Sequence, residues 1–179
     1  MNKLRCFDEK QIETINRATI LAEELISDYF KISFSEWKRY RYDIKTLETL
    51  KPEEITHEAF AQIVKYVCNP EMKPRGSLHA DYYKICLQDH VILRALSREK
   101  ELPLFPLAAY IVTHELIHVV RFSKFLQRFL VTPEEQEKEE ALVHTLTHKL
   151  LHDVKIPQMA SVLNIYVRCR NMETFKTAE

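Results

Sequence analysis

Two histidines and a glutamate stand close together in the run His114-Glu115-Leu116-Ile117-His118. A four-residue step along a helix is about 400° of rotation, so both imidazoles project from one face and can share one cation through their ring nitrogens. Glu115 follows the first of them directly, which sets its carboxylate beside a water held by that cation. A divalent metal lowers the pKa of such a water toward about 7, and Glu115 is then the candidate general base. The flanking residues Leu116, Ile117, Val119 and Val120 are apolar. Burying two histidines and a glutamate in such a stretch is costly unless they have partners. Zinc is the cofactor implied.

Two histidines do not complete a zinc site, and a third protein ligand is required. The next helical segment offers Glu134, Glu135, Glu137, Glu139, Glu140, His144, His148 and His152. Helical phase sorts them. With Lys138 at zero and about 100° per residue, the aliphatic arc through Leu146, Leu150, Val143 and Leu151 spans about 80° to 220°. Glu140 falls at about 200°, inside that arc and beside Thr147 and His144. Glu139 falls at about 100°, among aliphatic neighbours only, and is the alternative acid. A buried carboxylate needs a cation or a donor next to it, which favours Glu140. His144, one turn on, is suited to orient it or to enter the ligand set itself. His148, at the rim of the same face, is a further alternative ligand or a group to stabilise an oxyanion. Tyr166, Arg168 and Arg170 are more distant candidates for an oxyanion donor.

These residues need helices to hold them. Thr132-Pro133-Glu134-Glu135 is a helix start, with Thr at the N-cap, Pro at the first position and acids in the first turn; the helix should run to about Asp153. Ahead of it, the apolar stretch Leu107–Leu130 reads as the helix that carries the two histidines. An N-terminal helix is expected from Asp8 to Tyr29, with Asp8 as cap and Ile12, Ile15, Ala22 and Ile26 inward. Lys31–Leu50 reads as a short strand and mixed structure. Pro52 and Thr56 suggest a helix over Lys51–Val67, with Ile55, Phe60, Ile63 and Val64 inward. Asn69–Ser77, with Pro70, Pro74 and Gly76, reads as a loop. Asp81–Leu87 alternates as a strand, with Tyr83, Ile85 and Leu87 on one face. A short helix over Asp89–Arg98, a last apolar segment Met159–Cys169 and a frayed tail complete the chain. The fold class is therefore α+β: one predominantly helical domain, 1–179, with a small sheet.

Composition removes several classes of function. Gly76 is the only glycine of 179 residues, where average usage gives about 12. Glycine-rich phosphate loops and dinucleotide fingerprints are thereby excluded. Lys plus Arg and Asp plus Glu are each 26, for a formal net charge of zero, so no global pull toward nucleic acid or anionic lipid is expected. The longest uncharged stretch, Leu102–His114, falls short of the roughly 18 to 20 residues that span a bilayer. The first ten residues lack the apolar core of a signal peptide. Four cysteines without CxxC spacing suit a reducing compartment. A cytoplasmic protein without a membrane partner is expected.

HExxH on one helix, followed about twenty residues later by a glutamate on a second, resembles the zincin metallopeptidases. Within them it is similar to the Glu-ligand branch, the gluzincins, in their minimal single-domain form. The resemblance covers about Asp81–Asp153 (81–153) and leaves 1–70 and 154–179 unmatched. It implies His114, His118 and Glu140 as zinc ligands, Glu115 as general base, and peptide or protein as substrate. It also implies that the strand ahead of the metal helix is a sheet edge that holds extended peptide by strand addition. His144 stands where gluzincins often carry Asp, and Arg121 and Lys124 replace the Gly and third His of the metzincin extension. Two other functions compete with a peptidase. One is a metal-stabilised regulatory or protein-interaction domain with little proteolysis. The other is a helical nucleic-acid-binding protein using Trp37–Tyr42, with an accidental HExxH; an exposed edge strand is the favoured reading of that stretch.

Overall fold

The computed structural model describes residues 4–66, 81–99, 102–166 and 174–178. Helix α1 spans Glu9–Phe30, opened by a capping box between Asp8 and Gln11 and closed by Lys31 in the left-handed region at φ 54°. Its apolar stripe Ile15, Ala18, Ala22 and Ile26 is buried, which is the face that periodicity predicts. A single turn, α2 (Phe34–Trp37), leads into strand β1 (Arg41–Lys45). Two 3-10 turns follow at Leu47–Thr49 and Pro52–Glu54.

The helix expected over Lys51–Val67 does not form. Residues Ala61–Tyr66 are instead strand β2, antiparallel to β3 (Tyr82–Leu87). The physical reason is burial on both faces. Ile63 packs into the helical core on one side. On the other side Gln62 donates through Nε2 to the Glu54 carbonyl of the second 3-10 turn at 2.6 Å. Alternation disappears when both faces are covered, and a short apolar run then reads equally as helix or strand. The loop expected at Asn69–Ser77 lies outside the described residues.

The sheet has the order β1-β3-β2-β4, with β1 parallel to β3 and β4 (Thr174–Ala178) parallel to β2. Strand β4 replaces the frayed tail that the sequence suggests. Strand β3 is as expected, with Tyr83, Ile85 and Leu87 in the core, but it is not an edge. Its pairing with β1 and β2 uses both sides of its backbone ladder, so it cannot accept a peptide by strand addition. That implication of the resemblance is corrected.

Helix α3 spans Asp89–Arg98. The metal-motif helix α4 covers Leu104–Ser123 rather than Leu107–Leu130. Pro103 caps it and Pro106 sits in its first turn, where a missing N–H is harmless. It ends early because Phe125 takes φ 55°, a left-handed conformation that stops a helix. Helix α5 spans Pro133–His152 with Thr132 at the predicted N-cap, joined to Glu135 in a capping box, and α6 spans Met159–Tyr166. Helix α4 lies at the centre, contacted by α1, α5, α6 and β2. The architecture is α+β, mostly helical with a small mixed sheet. Among the described residues no helix is long and apolar enough to cross a membrane.

Candidate metal centre

Helix α4 is apolar nearly all round, so its polar residues Thr113, His114, Glu115 and His118 are carried into the interior with it. Both histidines are 0% exposed. Their Nε2 atoms lie 3.1 Å apart, a convergence that the one-turn spacing allows. Opposite them stands Glu140 of α5, 12% exposed at its side chain. Its Oε2 is 3.3 Å from His114 Nε2 and its Oε1 is 3.4 Å from His118 Nε2. Both carboxylate oxygens are buried and neither makes a hydrogen bond. Four-coordinate zinc with bonds of about 2.0 to 2.1 Å separates neighbouring ligand atoms by about 3.3 to 3.4 Å. The three separations here, 3.1, 3.3 and 3.4 Å, suit such an ion. These three residues are the group that could hold a metal among the described residues.

The other sequence candidates are dispersed around this group. Glu115 is buried on α4, one residue beyond His114. His144 packs its ring against that of His114, with centroids 4.5 Å apart, and its Nδ1 lies 2.6 Å from the Tyr110 hydroxyl. It therefore backs the group and does not belong to it. His148 stacks on His152 instead. Glu139 forms a two-pronged pair with Arg121, whose Nη2 donates to Oε2 at 3.0 Å. It is a helix-to-helix clamp between α4 and α5, in surroundings less aliphatic than its phase alone suggests. The side chain of Tyr166, with Arg168 and Arg170, lies outside the described residues.

Two contributors are absent from the sequence reading. Tyr110 sits one turn before His114 on the same face of α4, so the periodicity that links His114 to His118 also leads to it. Gln127 carries no such signal. It lies in the turn after α4, and its Oε1 is 3.2 Å from His118 Nδ1. An Nδ1–H donated to that oxygen leaves the Nε2 lone pair directed at Glu140 and His114, the arrangement by which outer residues fix a histidine ligand.

Trp37, Tyr40 and Tyr42, which the sequence offers as a stacking surface for nucleic acid, are half-buried and lean on the core. Only Arg41–Tyr42 of that stretch belongs to the edge strand. No protein-family model, curated protein or solved structure matches the chain.

Proposed function

We propose that the protein is a zinc-dependent metallopeptidase acting in the cytoplasm. The observation that supports it is the convergence of His114 Nε2, His118 Nε2 and the Glu140 carboxylate at the spacing of a tetrahedral ion's ligands. Zinc held there supplies Lewis acidity and acidifies water. Gln127 fixes the tautomer of His118, and Tyr110 with His144 packs behind His114. Glu115, next to His114 in a water-poor helix, accepts the proton of the attacking water and returns it to the leaving amine. The test is hydrolysis of a denatured-protein mixture. Wild-type protein should cleave it, while Glu115→Gln should keep its zinc and lose activity. Equal cleavage by both would remove Glu115 from the reaction.

A second reading has its own support. The histidines are fully enclosed and β3 has no free edge, which suits an ion that stabilises a protein-interaction domain. In that case zinc is present, its removal lowers stability, and wild type and Glu115→Gln are equally inert.

A further inference from the structure

A cleft of about 710 Å³ lies between α1 and β1, and His114, His118 and Glu140 are not among its lining residues. Its volume is within the size range of built ligand sites. One wall is a single helical stripe of α1: Ile12, Asn16, Thr19 and Glu23. The other is β1 itself, from Tyr42 onward, and Trp37 and Tyr40 also line the cleft. Among the described residues β1 pairs with β3 and with no other strand. Among those residues β1 is thus an edge of the sheet, and a cleft beside a sheet edge is how many domains take up extended peptide.

The lining also selects. Asp43 and Lys45 of β1 pair with each other at 2.7 Å, so their charges cancel, and the other cation of the lining, Lys38, lies over the Phe34 ring with Nζ 4.6 Å from its centroid. Glu23 has no such partner: the Tyr42 hydroxyl donates to its Oε1, and no Lys or Arg among the described residues pairs with it. Burial, with that bond to Glu23, raises the Tyr42 hydroxyl's pKa and keeps it a donor. Around this carboxylate Trp37 stands edge-to-face with Tyr40 and tilted against Tyr42, each pair of centroids 5.8 Å apart. Aromatic faces beside a carboxylate attract a guanidinium or ammonium group by cation–π and charge-assisted hydrogen bonding.

We propose that this cleft binds an extended peptide that continues the sheet at β1 and places an arginine or lysine side chain against Glu23 among Trp37, Tyr40 and Tyr42. None of the lining residues belongs to the metal group, so the site stands whether or not the metal chemistry does.

Trp37 is the only tryptophan of the chain, which gives the test an internal reporter. The probe is the capped peptide Thr-Val-Thr-Arg-Thr-Val-Thr, followed by Trp37 emission and by polarisation of a labelled copy. Saturable binding is expected, about tenfold weaker or worse when the peptide's Arg is replaced by Gln. Glu23→Gln, checked for an unchanged melting temperature, should abolish that preference. Methylating alternate backbone nitrogens of the peptide should abolish binding, because strand addition requires those N–H groups. An absence of saturable response up to millimolar peptide would overturn the proposal. So would equal binding of the N-methylated peptide, or of argininamide alone, which would make the cleft a small-cation site.

Discussion

Glu54 against the sheet and Glu140 between α4 and α5 both stand among basic side chains, and they are completed differently. Glu54 is 2% exposed and fully engaged. Lys84 Nζ lies 2.6 Å from its Oε1, the Tyr66 hydroxyl donates to the same oxygen, and the Lys51 N–H donates to Oε2 at 2.8 Å. Burial pushes its carboxyl up, but these three donors outweigh it and hold the pKa below the ordinary value of 4.5. Lys84 is in turn raised: its bonds to Glu54 and Tyr66 outweigh the lowering effect of burial. Glu140 has two imidazoles at 3.3 and 3.4 Å and no hydrogen bond to either oxygen. The first cluster is closed by the protein's own charges and needs nothing further. The second brings three lone-pair donors face to face, an arrangement that a divalent cation stabilises.

The largest effect should come from opening the closed cluster. Lys84→Met leaves Glu54 buried without its cation and should cost about 3 to 5 kcal/mol in denaturant unfolding. Zinc content per folded chain should be unchanged. The sign of the pH dependence follows from the depressed carboxyl of Glu54. Its contribution is present above the unfolded value of about 4.5 and is lost as pH falls through the lower folded value. The gap between wild type and Lys84→Met should therefore be widest near neutrality and narrow below about pH 4.5.

Chelation directed at the open cluster comes next. A ligand that binds the native state alone contributes about 3 kcal/mol at 100 times Kd, so a chelator should lower the melting temperature of wild-type protein. His114→Ala should melt low with or without chelator. If chelator shifts the Lys84→Met curve but not the wild-type curve, the contrast between the two clusters is wrong.

Smaller effects sharpen the account. Gln127→Ala frees the His118 ring and should weaken zinc affinity by about 10- to 100-fold in a competition titration without abolishing binding. Glu139→Ala breaks the clamp to Arg121, whose two partners are largely buried, and should cost about 1 to 3 kcal/mol. Full zinc retention in Glu139→Ala separates it from its neighbour Glu140.

The two clusters also differ in how far the sequence reveals them. The metal group is built from positions that helical periodicity fixes. His114 and His118 share a face by spacing, the Thr132–Glu135 capping box sets the start of α5, and phase then turns Glu140 inward and Glu139 toward Arg121. Tyr110 was legible by the same rule. Gln127 was not, because the left-handed turn at Phe125 that returns it to His118 has no glycine to announce it. The Glu54 cluster is assembled by pairings distant in sequence. Lys84 reaches it from β3, Tyr66 from β2 and Glu54 from a 3-10 turn, and the doubly covered β2 presents no alternation. The status of β3 as an inner strand was hidden for the same reason, since β1 joins it from some forty residues upstream.

The central claim is that His114, His118 and Glu140 together hold zinc. Its most direct test is the zinc content, by elemental mass spectrometry, of wild-type protein and Glu140→Ala purified without added metal. The account predicts about one zinc per wild-type chain and far less than one in Glu140→Ala, because two imidazoles alone hold the ion loosely. Wild-type protein without zinc, or Glu140→Ala with a full complement, would contradict it.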